Sequence, residues 1–192
     1  MSEGEIMRVL LAALAGAVAM FIWTAIAHVA TPLGTIGFSQ IPNEAPVLQA
    51  MDRSIGAKPG LYFYPYVAPN DPKMMEKVAA AEKAHGHGLL LYHGPGQNID
   101  SDMAPMLIKE FLTQFVQALI AAWIVSMLAA GYLTRVIVVT LIGVSAGIAT
   151  NVSYWNWYGF PQDYTEVQIL VEMVSGLVAG LAIAAIVRPR AA

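Results

Sequence analysis

Glu110 and Glu172 stand inside long apolar stretches, where an ionised side chain is costly and therefore a functional candidate by default. A carboxylate so placed can carry a proton, accept a hydrogen bond or face a ligand. His28, Gln114, Gln117 and Asn151 are further polar side chains set in apolar sequence. Together these six residues define a candidate ligand pocket, with His28, Glu110 and Glu172 as its principal walls. A structural reading competes with it. In that reading Glu110 and Glu166 mark the water boundary, the amides bond neighbouring helices, and His28 reaches out to the interface.

Helical spacing indicates which side chains face inward. Gln168, Glu172, Ser175, Ala179 and Gly180 recur at three- and four-residue steps, so Glu172 shares a stripe with small residues that permit close helix packing. Gly143, Gly147, Asn151 and Tyr154 form a second stripe, and Ala17, Met20, Thr24 and His28 a third. Gly143-x-x-x-Gly147 and Gly176-x-x-x-Gly180 are small-x-x-x-small contacts. The polar residues gather in one half of each apolar stretch, and the other half is apolar. A conducting pore would be polar through both halves.

Other residues suggest metal or nucleophile chemistry. His85-x-His87 with His93 downstream resembles a zinc or copper site, since neutral imidazoles suit both metals. His85 also lies on a helical face with Met74, Val78 and Ala81, which favours packing, and Gly86 and Gly88 indicate a tight turn. Gly143-Val144-Ser145-Ala146-Gly147 matches a nucleophile pattern that requires a strand–turn–helix elbow, yet it sits within an apolar helix. Its nearest base would be His28, and the helix rise separates their levels by more than roughly 10 Å. That is too far for a nucleophile–base hydrogen bond. Asn151-Val152-Ser153 is a formal glycosylation sequon at a membrane boundary, and Gly94-Pro95-Gly96 is a turn without the lysine of a phosphate loop.

The elements that must position these residues are membrane helices. Of 192 residues, 57% are hydrophobic and 12% charged, with mean hydropathy +0.59, against a charged share of about 25% in soluble domains. Apolar blocks run over 7–30, 105–130, 136–154 and 167–187, each long enough to cross a bilayer. The first contains an Ala25-Ile26-Ala27 cleavage-like site, but its apolar stretch exceeds that of a signal peptide and Glu3 and Glu5 make a poor leader. The net charge of −3, without a basic run, argues against nucleic-acid binding. Absence of cysteine excludes disulfides, thiolate metal sites and cysteine nucleophiles.

The expected fold is an all-α integral membrane protein, a four-helix transmembrane bundle with a small α+β extracytoplasmic domain inserted between helices 1 and 2. Its parts are residues 1–30, the first helix; 31–104, the inserted domain; and 105–192, the remaining helices. Arg8, Arg135, Arg188 and Arg190 fall on one side, which makes that side, and both termini, cytoplasmic. The inserted domain reads as a helix from Asn43 to Ile55, a strand Leu61–Val67 weakened by Pro65, a helix from Asp71 to His85, and a strand Leu89–His93. Tyr62, Tyr64 and Tyr66 alternate on one strand face, a surface for lipid headgroups. Tyr154 to Pro161 reads as a tight hairpin anchored by Trp155, Trp157 and Tyr158 at the interface.

The function expected is that of a non-enzymatic inner-membrane protein, whose extracytoplasmic inserted domain and outer-leaflet polar pocket bind a partner protein, a lipid or a small apolar ligand. Its partners would be the lipid bilayer and a membrane protein or further copies of itself. A small proton-coupled transporter using Glu172 is the alternative, and a membrane enzyme of metal or serine type comes third.

Overall fold

The computed structural model describes residues 2–95 and 103–188. Gly96 and Arg190, used in the sequence reading, lie outside the described residues. Helix α1 covers Glu3–Ala25 and continues as a π-helical turn over Ile26–Ala30, followed by a short 3₁₀ turn at Pro32–Gly34. Then come α2 (Glu44–Ser54), β1 (Gly60–Tyr64), α3 (Met74–His85) and β2 (Gly88–Tyr92). Helices α4 (Met103–Ser126), α5 (Tyr132–Tyr158) and α6 (Gln162–Ile186) complete the chain. Helix α1 with its π turn, α4, α5 and α6 are long and apolar enough to cross a membrane.

Local chemistry moves the helix ends away from the limits of the apolar runs. Helix α1 starts before Met7 because Ser2 and Glu5 form a reciprocal cap: the Glu5 carboxylate accepts from the Ser2 N–H at 2.6 Å, and the Ser2 hydroxyl accepts from the Glu5 N–H. Helix α4 stops at Ser126 rather than Ala130, as Met127 and Leu128 turn back in tighter bonds to Ile124 and Val125. Helix α5 runs through Tyr158, so Tyr154 to Tyr158 are helical and the hairpin is confined to Gly159–Pro161. Gly159 takes the left-handed conformation at φ 69°, where its N–H reaches Trp155 O and that of Phe160 reaches Tyr154 O. Pro161 then caps α6 rather than ending α5.

Helix α5 packs on α6, α6 on α1 and α1 on α4, whereas α4 touches α5 and α6 only sparsely. Glycines explain the closest of these contacts. A Cβ on Gly143 would lie 2.5 Å from Glu172 O, one on Gly176 2.9 Å from Val139 O, and one on Gly180 2.9 Å from Val136 O. The two small-x-x-x-small patterns of the sequence therefore meet each other across the α5–α6 seam. Around α1 the core is built from Ala12, Ala13, Ala17, Ala118, Ala122, Val125 and Ile183. At the end of the bundle near Val187, Arg135 is buried and its Nη1 donates to Val187 O. Tyr132 donates to Leu181 O at 3.1 Å beside it.

The chain divides into two compact units, Met1–Phe38 with Asp102–Ala192, and Ser39–Ser101. Residues 31–38, assigned by sequence to the insert, thus belong to the helical unit. Phe38 packs edge-on against Tyr164 at 5.6 Å, and Phe160 contacts the same ring at 5.5 Å. Thr31 secures the turn by donating to Ala27 O at 2.7 Å and accepting from the Leu33 N–H.

The second unit is α+β, as its pattern predicts. Strands β1 and β2 pair antiparallel, with Leu61 opposite Leu91 and Phe63 opposite Leu89. Strand β1 ends at Tyr64 because Pro65 has no N–H for the ladder. Tyr66 is therefore beyond the strand; Leu61, Phe63 and Leu91 are exposed on one face of the hairpin, and Tyr64 and Tyr66 are exposed as well. Helix α3 starts at Met74, after a turn in which Asp71 accepts from the Lys73 N–H and pairs with Lys77. Gly86 at φ 73° ends it. Asn43 occupies the position before α2, but its side chain makes no capping bond.

Tyr92 is buried on the opposite face of the sheet and donates to Asp52 at 2.9 Å, tying β2 to α2. Burial first, and the Asp52 carboxylate second, push its phenol above the ordinary value of 10.0. Folding thus favours the neutral phenol, so this bond is intact at neutral pH and is lost as pH rises through the raised value. Tyr92→Phe is expected to speed amide exchange in β1 and β2 of the full chain and leave α5 and α6 unchanged. Equal exchange in both strands would show that the bond does not hold the unit.

Candidate functional site

The polar residues predicted from sequence occupy two levels. Near the 31–38 segment, Gln114 is 3% exposed and its Nε2 donates both to Thr24 Oγ1 at 3.0 Å and to Glu110 Oε1 at 2.8 Å. Gln114 Oε1 is buried without a donor. Glu110 is otherwise exposed, lying one helical turn from Gln114. His28 is exposed on the π turn, where its Nδ1–H donates to Thr24 O at 2.9 Å. Asn151 is buried, and its Nδ2 donates to Gly147 O of its own helix at 2.9 Å, not to a neighbour.

The second level is a cavity of about 160 Å³. It exists because α4 and α5 are not packed together: α1 and α6 form its floor, and α4 and α5 its sides. Met20 contributes from α1, Gln117 and Ala121 from α4, Ile142 and Ala146 from α5, and Glu172 and Gly176 from α6. Of the six pocket residues predicted from sequence, Gln117 and Glu172 line this cavity; His28, Glu110, Gln114 and Asn151 do not.

Its walls straddle the middle of the helices, with Glu172 in the half of α6 nearer Gln162 and Gln117 in the opposite half of the bundle. Counting 1.5 Å per residue along α6, Glu172 is about 15 Å from the Gln162 end and about 21 Å from the Ile186 end. Gln117 is about 21 Å from the start of α4 and about 14 Å from its end. The cavity thus lies near mid-length of the bundle, with Glu110 about 10 Å above Gln117 on the same helix.

Glu172 is half-buried, and no hydrogen bond or ion pair joins its carboxylate to any other described residue. Its backbone is fixed by the seam: a Cβ on Gly147 would touch Glu172 Cβ at 3.1 Å, and Trp23 Nε1 donates to Val171 O at 3.1 Å from the other side. The arrangement is a mainly apolar hollow with one carboxylate and one amide in its wall. Ser175, one turn deeper, is buried with its hydroxyl unpartnered.

Met20, Ile142 and Ala146 were not identified from sequence as wall residues. The signal available was a surplus of small residues over the close helix pairs that could use them. Gly143, Gly176 and Gly180 close the α5–α6 seam, whereas Ala121 and Ala146 face each other's helices across a gap.

The remaining candidates do not converge. His85, His87 and His93 are exposed, and His87 approaches Glu82 at 3.7 Å. Among the described residues no three His, Asp or Glu side chains are grouped to hold a metal ion. Ser145 is exposed on α5 in the middle of a continuous helix, without the elbow that a nucleophile of its motif needs. No protein-family model, characterised protein or solved structure matches the chain.

Proposed function

We propose that this chain is a multi-pass inner-membrane protein that binds a small apolar molecule in the cavity between α4 and α5, without transforming it. The observation that carries this reading is the cavity itself: about 160 Å³, lined mainly by alkyl groups, with Glu172 as its one carboxylate, unpaired among the described residues. A cavity of about 150 Å³ admits a benzene-sized group.

Membrane insertion is supported by the outward faces of the four long helices, where Leu14, Ile22, Leu112, Val116, Leu141 and Leu181 are exposed. Arg8, Arg135 and Arg188 at one end support a cytoplasmic side there by the positive-inside tendency, and with it an extracytoplasmic Ser39–Ser101 unit. A carrier would have to open the cytoplasmic half at some stage. Here that half is filled by Val125 and Ile183 and closed by Arg135 on Val187, which favours binding over transport.

Ala146 lines the cavity from its exposed side, so Ala146→Leu fills the hollow without entering the α5–α6 seam. Native mass spectrometry of gently extracted protein is expected to show a small-molecule adduct on the unaltered chain and its loss from Ala146→Leu. Identical adducts on both would overturn the cavity as the binding site.

A further inference from the structure

We infer that the ligand is a lipophilic monocation, a protonated amine or quaternary ammonium on an apolar body of about one ring, held with Glu172 as its counter-ion. This rests on the binding function proposed above and adds the chemical class of the ligand. The argument is one of charge and donor balance. Glu172 lines a mainly apolar cavity near mid-length of the bundle, and no Lys, Arg or His pairs with it among the described residues. Lys109 is exposed on another level of α4, and Arg135 is engaged with Val187 O at the far end. A carboxylate in an apolar setting needs a cation or a proton to be stable there.

Donors are also in short supply nearby. Gln114 does not line the cavity; its amide N–H groups donate to Thr24 and Glu110, and its own Oε1 has no donor among the described residues. Gln117 is the single amide in the cavity wall. A ligand that brings positive charge and N–H groups supplies what the walls lack, and its apolar body matches Met20, Ala121, Ile142 and Ala146. A neutral apolar molecule would fill the space but leave the carboxylate to be neutralised by a proton alone. An anion would add a second negative charge beside Glu172.

The test uses the full chain in a mild non-ionic detergent and two probes of nearly equal shape, benzylammonium and toluene, titrated by calorimetry at neutral pH. On the unaltered protein benzylammonium is expected to bind at least tenfold more tightly than toluene. Glu172→Gln keeps the shape of the wall and is expected to reduce benzylammonium to the level of toluene. Retained toluene binding by that variant shows that its cavity is intact. Equal binding of the two probes to the unaltered protein, with both lost in Ala146→Leu, would leave the cavity reading standing and overturn the cation. Binding of benzylammonium that ignores Glu172→Gln would also overturn it. If neither probe binds the unaltered protein, the cavity reading falls together with the inference.

Discussion

Gly143→Ala is expected to destabilise the helical unit although it adds a single methyl group. The new Cβ would stand 2.5 Å from Glu172 O and 3.1 Å from Gly176 Cα, both backbone atoms of the facing helix. No rotamer change can relieve such a contact, so α5 and α6 must move apart. That movement loosens the equally close approaches of Gly176 to Val139 and of Gly180 to Val136 along the same seam. Overpacking of this kind costs about 1–3 kcal/mol, and the better helix propensity of alanine offsets about 1 kcal/mol of it. The net expectation is a loss of up to about 2 kcal/mol, and the contacts at 2.5 and 3.1 Å to backbone atoms put it toward the upper end. Gly4→Ala is the control, since nothing lies within 4 Å of a Cβ there and only the propensity gain remains. Thermal unfolding in detergent, followed by circular dichroism, should rank Gly4→Ala at or above the parent and Gly143→Ala clearly below it. If the two variants unfold together, the seam is not as close as these distances state.

The same seam shows how much of the fold could be read from the sequence. Small residues at four-residue spacing on two helices predicted close contacts, and their pairing with each other follows from the short Gly159–Pro161 connection, which makes α5 and α6 antiparallel neighbours. The four apolar helices and the α+β character of the insert were legible because period and length carry them. Helix ends were less so. A hydropathy window does not see that Ser2 and Glu5 cap α1, or that the aromatic residues Tyr154 to Tyr158 can continue a helix.

The candidate site was legible only in part, for a physical reason. Sequence indicates that Glu172 belongs to a stripe of small residues, but a void depends on which helices fail to meet. Helices α4 and α5 have small residues that would allow contact, yet both are held instead by their other neighbours, α1 and α6. The amides illustrate a second limit. Asn151 and Gln114 each had an inter-helix partner as the natural expectation; Gln114 found one in Thr24, whereas Asn151 bonded back to Gly147 of its own helix. Local back-bonding and cross-helix bonding use the same residue types, so spacing alone does not separate them.

Ile183→Ala and Gly16→Ala are each expected to destabilise the bundle, and together to destabilise it by less than their sum. Ile183 is fully buried, with 0% of its surface exposed, and α1 approaches it at Gly16. Truncating it leaves a void between α1, α4 and α6. Lipid tails solvate an alkyl group about as well as a helix interior does, so the loss is chiefly of packing contacts, and the lower part of the 2–5 kcal/mol range for such truncations applies. A Cβ on Gly16 would meet Ile183 Cγ1 and Cδ1 at 2.9 Å and Ala118 Cβ at 3.2 Å. The enclosed isoleucine has no free space into which to turn, so this change costs about 1–3 kcal/mol. In the double variant the alanine at 16 enters the space that the isoleucine vacates, and the clash with Cγ1 and Cδ1 disappears. A favourable coupling of about 1 kcal/mol or more is expected from a double-mutant cycle in detergent. Strict additivity would mean that α1 and α6 do not share this contact, and the floor of the cavity, which both helices form at Met20 and Gly176, would then have no fixed geometry.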